Sequence, residues 1–218
     1  MNRDEIINKI ETGFNSFDGS RSKHVLFCDW CKLMAISISN QVWFDEKREN
    51  DYAQLAKTYK PEELQKFQEM AGLLVLAFDT GIDDYLGTIY MKGGMGNGRT
   101  GQFFTPFHLA ELVAEMKIRD YAEEKIVELN EPASGGGAMI LAFAKALNRK
   151  GLNYQKMLKV TAQDLDWNSV YMSYVQLSIA GINAVVIQGD TLKAEEPEPY
   201  QTMYTPMYVL SGLGINRR

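Results

Sequence analysis

Three acidic residues stand at the ends of short apolar runs in the second half of the chain. They are Glu131 after "KIVELN", Asp164 in "TAQDLD" and Asp190 in "QGDTL". Gly135, Gly136 and Gly137 follow the first of them, in "NEPASGGGAM". At the carboxyl ends of neighbouring parallel strands, residues of these types would do binding chemistry. The glycines let the backbone approach a ligand closely, and the helix after them offers free N–H groups. Asp164 can accept from both hydroxyls of a ribose, and Asp190 from the exocyclic amine of an adenine. Glu131 would repel a pyrophosphate and welcome an amino group, so an adenosine with a positively charged tail suits the set better than a dinucleotide. Taken singly each feature has a plainer reading, a turn before a helix or a helix cap. Their order across one unit is what points to a cofactor cradle.

The elements that must hold these groups are legible from periodicity. "KIVEL", a helix from Ala138, "KVTAQ", the helix "WNSVYMSYVQLSIAGI" and "AVVIQ" alternate as strand, helix, strand, helix, strand. That order implies a parallel sheet with crossover helices, the doubly wound α/β class. Upstream the chain reads as helical. "DEIINKIETGFNSF" places Ile6, Ile7, Ile10 and Phe14 on one helix face, and "PEELQKFQEMAGLLVLAFDT" opens with a proline and acids suited to a first helical turn. "TPFHLAELVAEMKIRDY" is expected to be an amphipathic helix started by Thr105 and Pro106. The expected organisation is a helical subdomain over 1–92, a glycine-rich hinge over 93–101, and a cofactor-binding domain over 102–218. A phosphate-binding loop is the alternative for the hinge, but the Lys-Ser/Thr ending of a Walker loop is missing.

Composition narrows the classes further. With 218 residues, 45% apolar and 23% charged, the chain can bury a substantial core without disulfides or metals. No apolar run approaches the roughly 20 residues of a membrane helix, and the start lacks a signal peptide's order, so a cytoplasmic location is expected. Cys28 and Cys31 form a C-x-x-C that suits a redox couple or half a zinc site. The only histidines are His24 and His108, so two reduced thiols on a helix is the favoured reading and no metal is expected. The formal net charge of −5 argues against gripping nucleic acid through an overall positive field. Lys92 with Arg99 and Arg217 with Arg218 are the sparse candidates for a local basic groove.

"DDYLGTIY", "GQFFTP", "EPASGGG", "AQDLD" and "QGDTL", in that order, resemble the successive motifs of the N6-adenine DNA methyltransferases, especially the modification subunits of type I restriction systems. The resemblance covers about residues 83 to 192. It implies a Rossmann-like methyltransferase domain, S-adenosylmethionine as cofactor and DNA as a partner. It also implies roles for particular residues. Phe103, Thr105 and Pro106 match the motif that closes over the methionine part of the cofactor. Glu131, Ala133, Gly135 and Gly137 match the glycine loop, Asp164 the ribose-binding acid and Asp190 the acid that holds the adenine.

The family's catalytic turn, Asn or Asp with Pro-Pro and an aromatic, is expected after the fourth strand. Its nearest match is Thr205-Pro206-Met207-Tyr208, with Thr205, Pro206 and Tyr208 as the catalytic candidates. In the family the ring clamps an extruded adenine while the polar side chain accepts from its N6 amine. Threonine brings neither charge nor amide, and Met207 replaces the second proline. A structural strand against the sheet is the plainer reading of "MYTPMYVL". Family members continue with three further strands and a target-recognition region, so the chain is expected to be a truncated version whose open sheet edge is covered by its own helices, a partner subunit or a second copy. Two functions stay open: methyl transfer to DNA adenine, or a non-catalytic binding or regulatory module built on the same cofactor site.

Overall fold

The computed structural model describes residues 1–95, 104–118, 121, 125–193 and 196–212. Most of the expected hinge, Phe103, Arg99, Arg217 and Arg218 lie outside the described residues.

The chain opens with helices α1 (Arg3–Asn15), α2 (Lys23–Val42), α3 (Glu46–Ala56), α4 (Pro61–Asp79) and α5 (Tyr85–Lys92). Local chemistry sets where they begin. Asn2 and Glu5 form a capping box on α1, and Ser22, Asp45 and Asp84 cap α2, α3 and α5 through side-chain oxygens. Pro61 opens α4 with Glu62 and Glu63 behind it. Helix α6 (Phe107–Lys117) follows, with Pro106 at the cap position and no side-chain cap bond, so Thr105 stands one residue outside the expected place.

The second half forms the sheet. Strands β1 (Val127–Glu131), β2 (Leu158–Asp164) and β3 (Asn183–Gln188) are parallel, in the order β1-β2-β3, joined through α7 (Ala138–Arg149), the short α8 (Tyr154–Met157) and α9 (Trp167–Ile179). Because the strand order runs one way, right-handed crossovers place α7 and α9 on the same face. Burial follows: Val160, Ala162, Ala184 and Val186 are buried, while Glu128, Asn130 and Thr161 on the other face are exposed. A 3-10 turn (Pro199–Gln201) leads into β4 (Thr202–Tyr204) and then α10 (Pro206–Leu210).

Strand β4 departs from the parallel expectation. It pairs antiparallel with β3, Thr202 opposite Ile187 and Tyr204 opposite Val185. The connection over 189–201 holds no helix but the 3-10 turn among its described residues, and β4 returns antiparallel beside β3 at the edge of the sheet.

A hydrophobic cluster joins the helical layer to the sheet, from Ile6 and Ile10 through Trp30 and Tyr85 to Tyr174, Val186 and Met203. Helix α9 is the hinge pin of that packing, lying against β2 and β3 on one side and α2 and α5 on the other.

Candidate functional site

The carboxyl ends of β1, β2 and β3 meet at one rim. After Glu131 the chain turns through Pro132 to Gly137, and Ser134 donates its amide to the carbonyl of Gln163 at 2.9 Å, extending the β1–β2 pairing into the loop. Gly135 has φ +51° and Gly137 +91°, conformations that a side chain disfavours. Gly137 caps α7 without any side-chain bond, so the first amides of that helix face the loop. The ring of Phe104 lies over Gly135, so that a Cβ there would sit 3.1 Å from its Cδ1. Phe104 in turn packs edge-on against Tyr90 at 5.1 Å. The exposed Thr105 and Pro106 follow directly, which sets them beside the glycine loop.

Asp164 ends β2 and organises the rim. Its Oδ2 accepts from the Gly135 amide at 2.8 Å and its Oδ1 from the Asp166 amide at 3.0 Å. Each carboxylate oxygen keeps a second lone pair, enough for the two hydroxyls of a ribose. The Asp164 carbonyl accepts from the Gly189 amide at 2.9 Å, tying β2 to the loop after β3. There Asp190 accepts from the Leu192 amide at 3.1 Å and has Lys193 Nζ at 4.0 Å. Asp190 and Gln163 line a cleft of about 140 Å³. Thr191 donates to the Pro132 carbonyl at 2.6 Å, which closes the ring of contacts back to the glycine loop. Glu131 accepts from the Ala133 amide at 3.4 Å, and burial raises its carboxyl above the ordinary value.

Beneath the loop is a buried polar network. Gln176 on α9 donates to the Gly136 carbonyl and to Asp84 Oδ1, both at 2.8 Å, and accepts from the Leu86 amide at 3.0 Å. Asp84 also accepts from the Gly87 amide at 2.9 Å as the cap of α5. Burial pushes its carboxyl up to about 6 against the lowering effect of those donors. The adjacent Asp83 pairs with Arg3 at 2.9 Å in a part-buried setting. Thus "DDYLG" and "SGGG", about fifty residues apart, are joined through a glutamine contributed by neither.

The model of the N-6 DNA methylase family matches residues 83–210, which contain the glycine loop, Glu131, Asp164, Asp190, Asp84 and Gln176. The chain belongs to the N-6 DNA methylase family. Two solved structures share the fold of this N-6 DNA methylase family member. One is a protein assigned as a class I S-adenosylmethionine-dependent methyltransferase from Listeria monocytogenes, with 12% identity and a TM-score of 0.55 over 90% of this chain and 56% of that one. The other is the methyltransferase subunit of a type I restriction-modification system from Streptococcus thermophilus, with 14% identity and a TM-score of 0.52 over 91% of this chain and 61% of that one. The chain therefore spans less than two thirds of the length of either. No curated protein matches it by sequence.

Within this N-6 DNA methylase chain the turn at Thr205 is not brought to the rim. Strand β4 runs back along β3, so Thr205 lies beside Ala184, at the amino end of the sheet. Ala184 and Gln188 stand four steps apart along β3, about 13 Å at roughly 3.3 Å per step. Thr205 is fully buried, and its hydroxyl sits 2.7 Å from the Ile182 carbonyl, 3.0 Å from the Ala184 amide and 3.4 Å from the Tyr208 amide. The expectation that this threonine faces a substrate amine is corrected by that geometry: the hydroxyl is spent on capping α10 and closing the sheet end. Pro206 is the first residue of α10, and the Tyr208 ring stacks on Tyr204 at 4.9 Å.

Sequence reasoning missed Phe104 and Gln176. A glycine with φ above zero beneath an aromatic signals the first only once the fold joins them, and an uncharged residue on an apolar helix face signals the second only through burial. Cys28 and Cys31 both lie on α2, where burial raises both thiols, Cys28 to about 12. Among the described residues no group of three or more His, Cys, Asp or Glu side chains is placed to hold a metal, and no helix is long and apolar enough to cross a membrane.

Proposed function

We propose that this chain binds S-adenosylmethionine at the carboxyl ends of β1, β2 and β3, as the cofactor-holding part of a DNA adenine-N6 methyltransferase. The observation that carries the reading is the bond from the Gly135 amide to Asp164, which shapes the glycine loop around a carboxylate that still has acceptor capacity. The residues fit the group. Glycines with positive φ keep the cradle open, and Asp164 and Asp190 supply acceptors at the ends of adjacent strands. Asp164 would hold the ribose and Asp190 the adenine amine. Glu131 and Ala133 would border the methionine amino group, with Thr105 and Pro106, and Phe103 before them, closing over it. When bound, the cofactor supplies a methyl group activated on a sulfonium. Its positive charge suits a rim that carries Glu131, Asp164 and Asp190.

A second reading, cofactor binding without methyl transfer by this chain alone, is favoured by one observation: the Thr205 hydroxyl is buried and engaged at the opposite end of the sheet. DNA as methyl acceptor and a specificity or partner subunit for its recognition belong to the first reading. Calorimetry with S-adenosylmethionine tests the shared part, with binding expected for the wild type and lost in Asp164→Ala. Transfer of labelled methyl to DNA, alone and with cell extract supplying a partner, then separates the two. Absence of cofactor binding by the folded protein would refute both.

A further inference from the structure

Outside the cradle, segments far apart in sequence converge on a pocket of about 370 Å³. Helix α2 contributes Lys32, α3 Lys47, Arg48 and Asp51, α9 Trp167, and the 3-10 turn Tyr200. Its walls are flat. Trp167 stacks on Tyr171 at 5.2 Å and 27°, and on Tyr200 at 6.1 Å and 19°, which makes a shelf of near-parallel rings.

Its charge runs against that of the chain. Lys32 pairs with Asp51 at 3.1 Å. Arg48 is 4% exposed and donates to the carbonyls of Thr202 and Trp43, both at 2.9 Å, and of Tyr200 at 3.4 Å. Those acceptors are neutral, and among the described residues no carboxylate forms a salt bridge with it. Asp45 is close enough to be felt, but its oxygen caps α3 by accepting the Arg48 amide at 2.9 Å. The Lys47 ammonium lies 3.2 Å from the centre of the Tyr200 ring, again without a carboxylate partner among the described residues. Three cations thus line the pocket against Asp51 alone, in a protein of net charge −5. Burying a guanidinium whose hydrogen-bonded acceptors are all neutral, with Asp45 only a nearby charge, is costly, and an anion in the pocket would offset that cost.

Unmatched cations beside stacked rings suit a planar base that carries a phosphate. We propose that this pocket binds a nucleotide unit, its base against the Trp167–Tyr200 shelf and its phosphate on Lys47, with Lys32 and the buried Arg48 behind. Lys47 is the mobile contact, a point charge on a flexible stem that can leave the ring face as the phosphate arrives. Arg48 fixes the shelf by holding the Tyr200 carbonyl. The pocket shares the rim of the sheet with the cradle, since Trp167 opens α9 three residues after Asp164 and Tyr200 lies just before the residue paired with Ile187. It shares no residue with the cradle, so the proposal stands apart from the cofactor reading. A single strand of DNA and a free nucleotide present the same chemistry.

The test uses the full chain, fluorescence anisotropy with a fluorescein-labelled dT 12-mer, and calorimetry with AMP. Wild type is expected to bind at least one probe at low salt. Lys47→Gln and Tyr200→Ala should each weaken that binding at least tenfold, Tyr200→Phe should retain it, and Asp164→Ala should leave it unchanged. For the oligonucleotide, Lys47→Gln should also lower the slope of log affinity against log salt by about 1. Binding of the 12-mer without AMP identifies a nucleic-acid strand as the occupant, and binding of AMP identifies a free nucleotide. If folded wild type binds neither probe, or if Lys47→Gln and Tyr200→Ala bind as tightly as wild type, the proposal is wrong.

Discussion

The amide of Gly135 donates to the carboxylate of Asp164 over 2.8 Å, so the residue best placed to accept a ribose also holds the loop that would surround it. Shape and chemistry at this rim are therefore not separable by substitution at Asp164 alone. Asp164→Ala strips partners from the Gly135 and Asp166 amides, each worth about 1–3 kcal/mol if left unsatisfied. Asp164→Asn retains one acceptor oxygen and should fall between alanine and wild type in both urea stability and S-adenosylmethionine affinity. Equal stability of wild type and Asp164→Ala would contradict the bridging role.

Gly135→Ala is expected to cost about 1–2 kcal/mol through its φ of +51° alone. The added Cβ also meets Phe104 Cδ1 at 3.1 Å. A double-mutant cycle with Phe104→Ala should recover the contact portion and leave the backbone portion, as read from urea midpoints.

Asp84 gives a pH signature. Its folded carboxyl is pushed up from an ordinary 3.8 to about 6, chiefly by burial. Between those values the folded state holds more proton than the unfolded state, so this group's contribution to stability falls as pH rises from about 4 to about 6 and is level above. Asp84→Asn keeps an acceptor for the Gly87 amide and removes the titration. The stability difference between wild type and Asp84→Asn should therefore move against wild type across that window. A constant difference in urea unfolding from pH 4.5 to 7.5 would refute the assignment.

The turn at Thr205 predicts a separation of stability from binding. Thr205→Val removes a buried hydroxyl with several partners and should cost about 1–3 kcal/mol, roughly 2–12 °C in Tm for a chain of this size. Thr205→Ser should be close to wild type. Affinity for S-adenosylmethionine should be unchanged in both, measured below the transition.

Much of this architecture was legible because it is periodic or local. The alternation of "KIVEL", "KVTAQ" and "AVVIQ" with two helices fixes a parallel order, and the capping residues mark their own helices. What escaped was whatever depends on return paths. Strand β4 has three residues and no pattern of its own, so its direction follows from the path of the 189–201 connection and from the Arg48 contacts, and with it the end of the sheet at which Thr205 stands. Phe104 is the ring that lies over Gly135, a contact that two adjacent phenylalanines conceal in the sequence. Lys32, Lys47, Trp167 and Tyr200 are unremarkable where they stand in the chain, and only packing of α3 on α2 and of α2 on α9 gathers them.

The bridge through Gln176 bears on how the molecule can be divided. The glycine-rich stretch invites a cut that would free the later residues as a portable cofactor module. Such a fragment would carry away the glutamine while leaving behind the Asp84 carboxylate and the Leu86 amide that complete its bonding. The Gln176 amide beneath Gly136 would then trade fixed partners for solvent and lose its set orientation. Helix α5 with its Asp84 cap is accordingly a foundation for the loop, and the smallest piece that keeps its shape reaches back at least to Asp84.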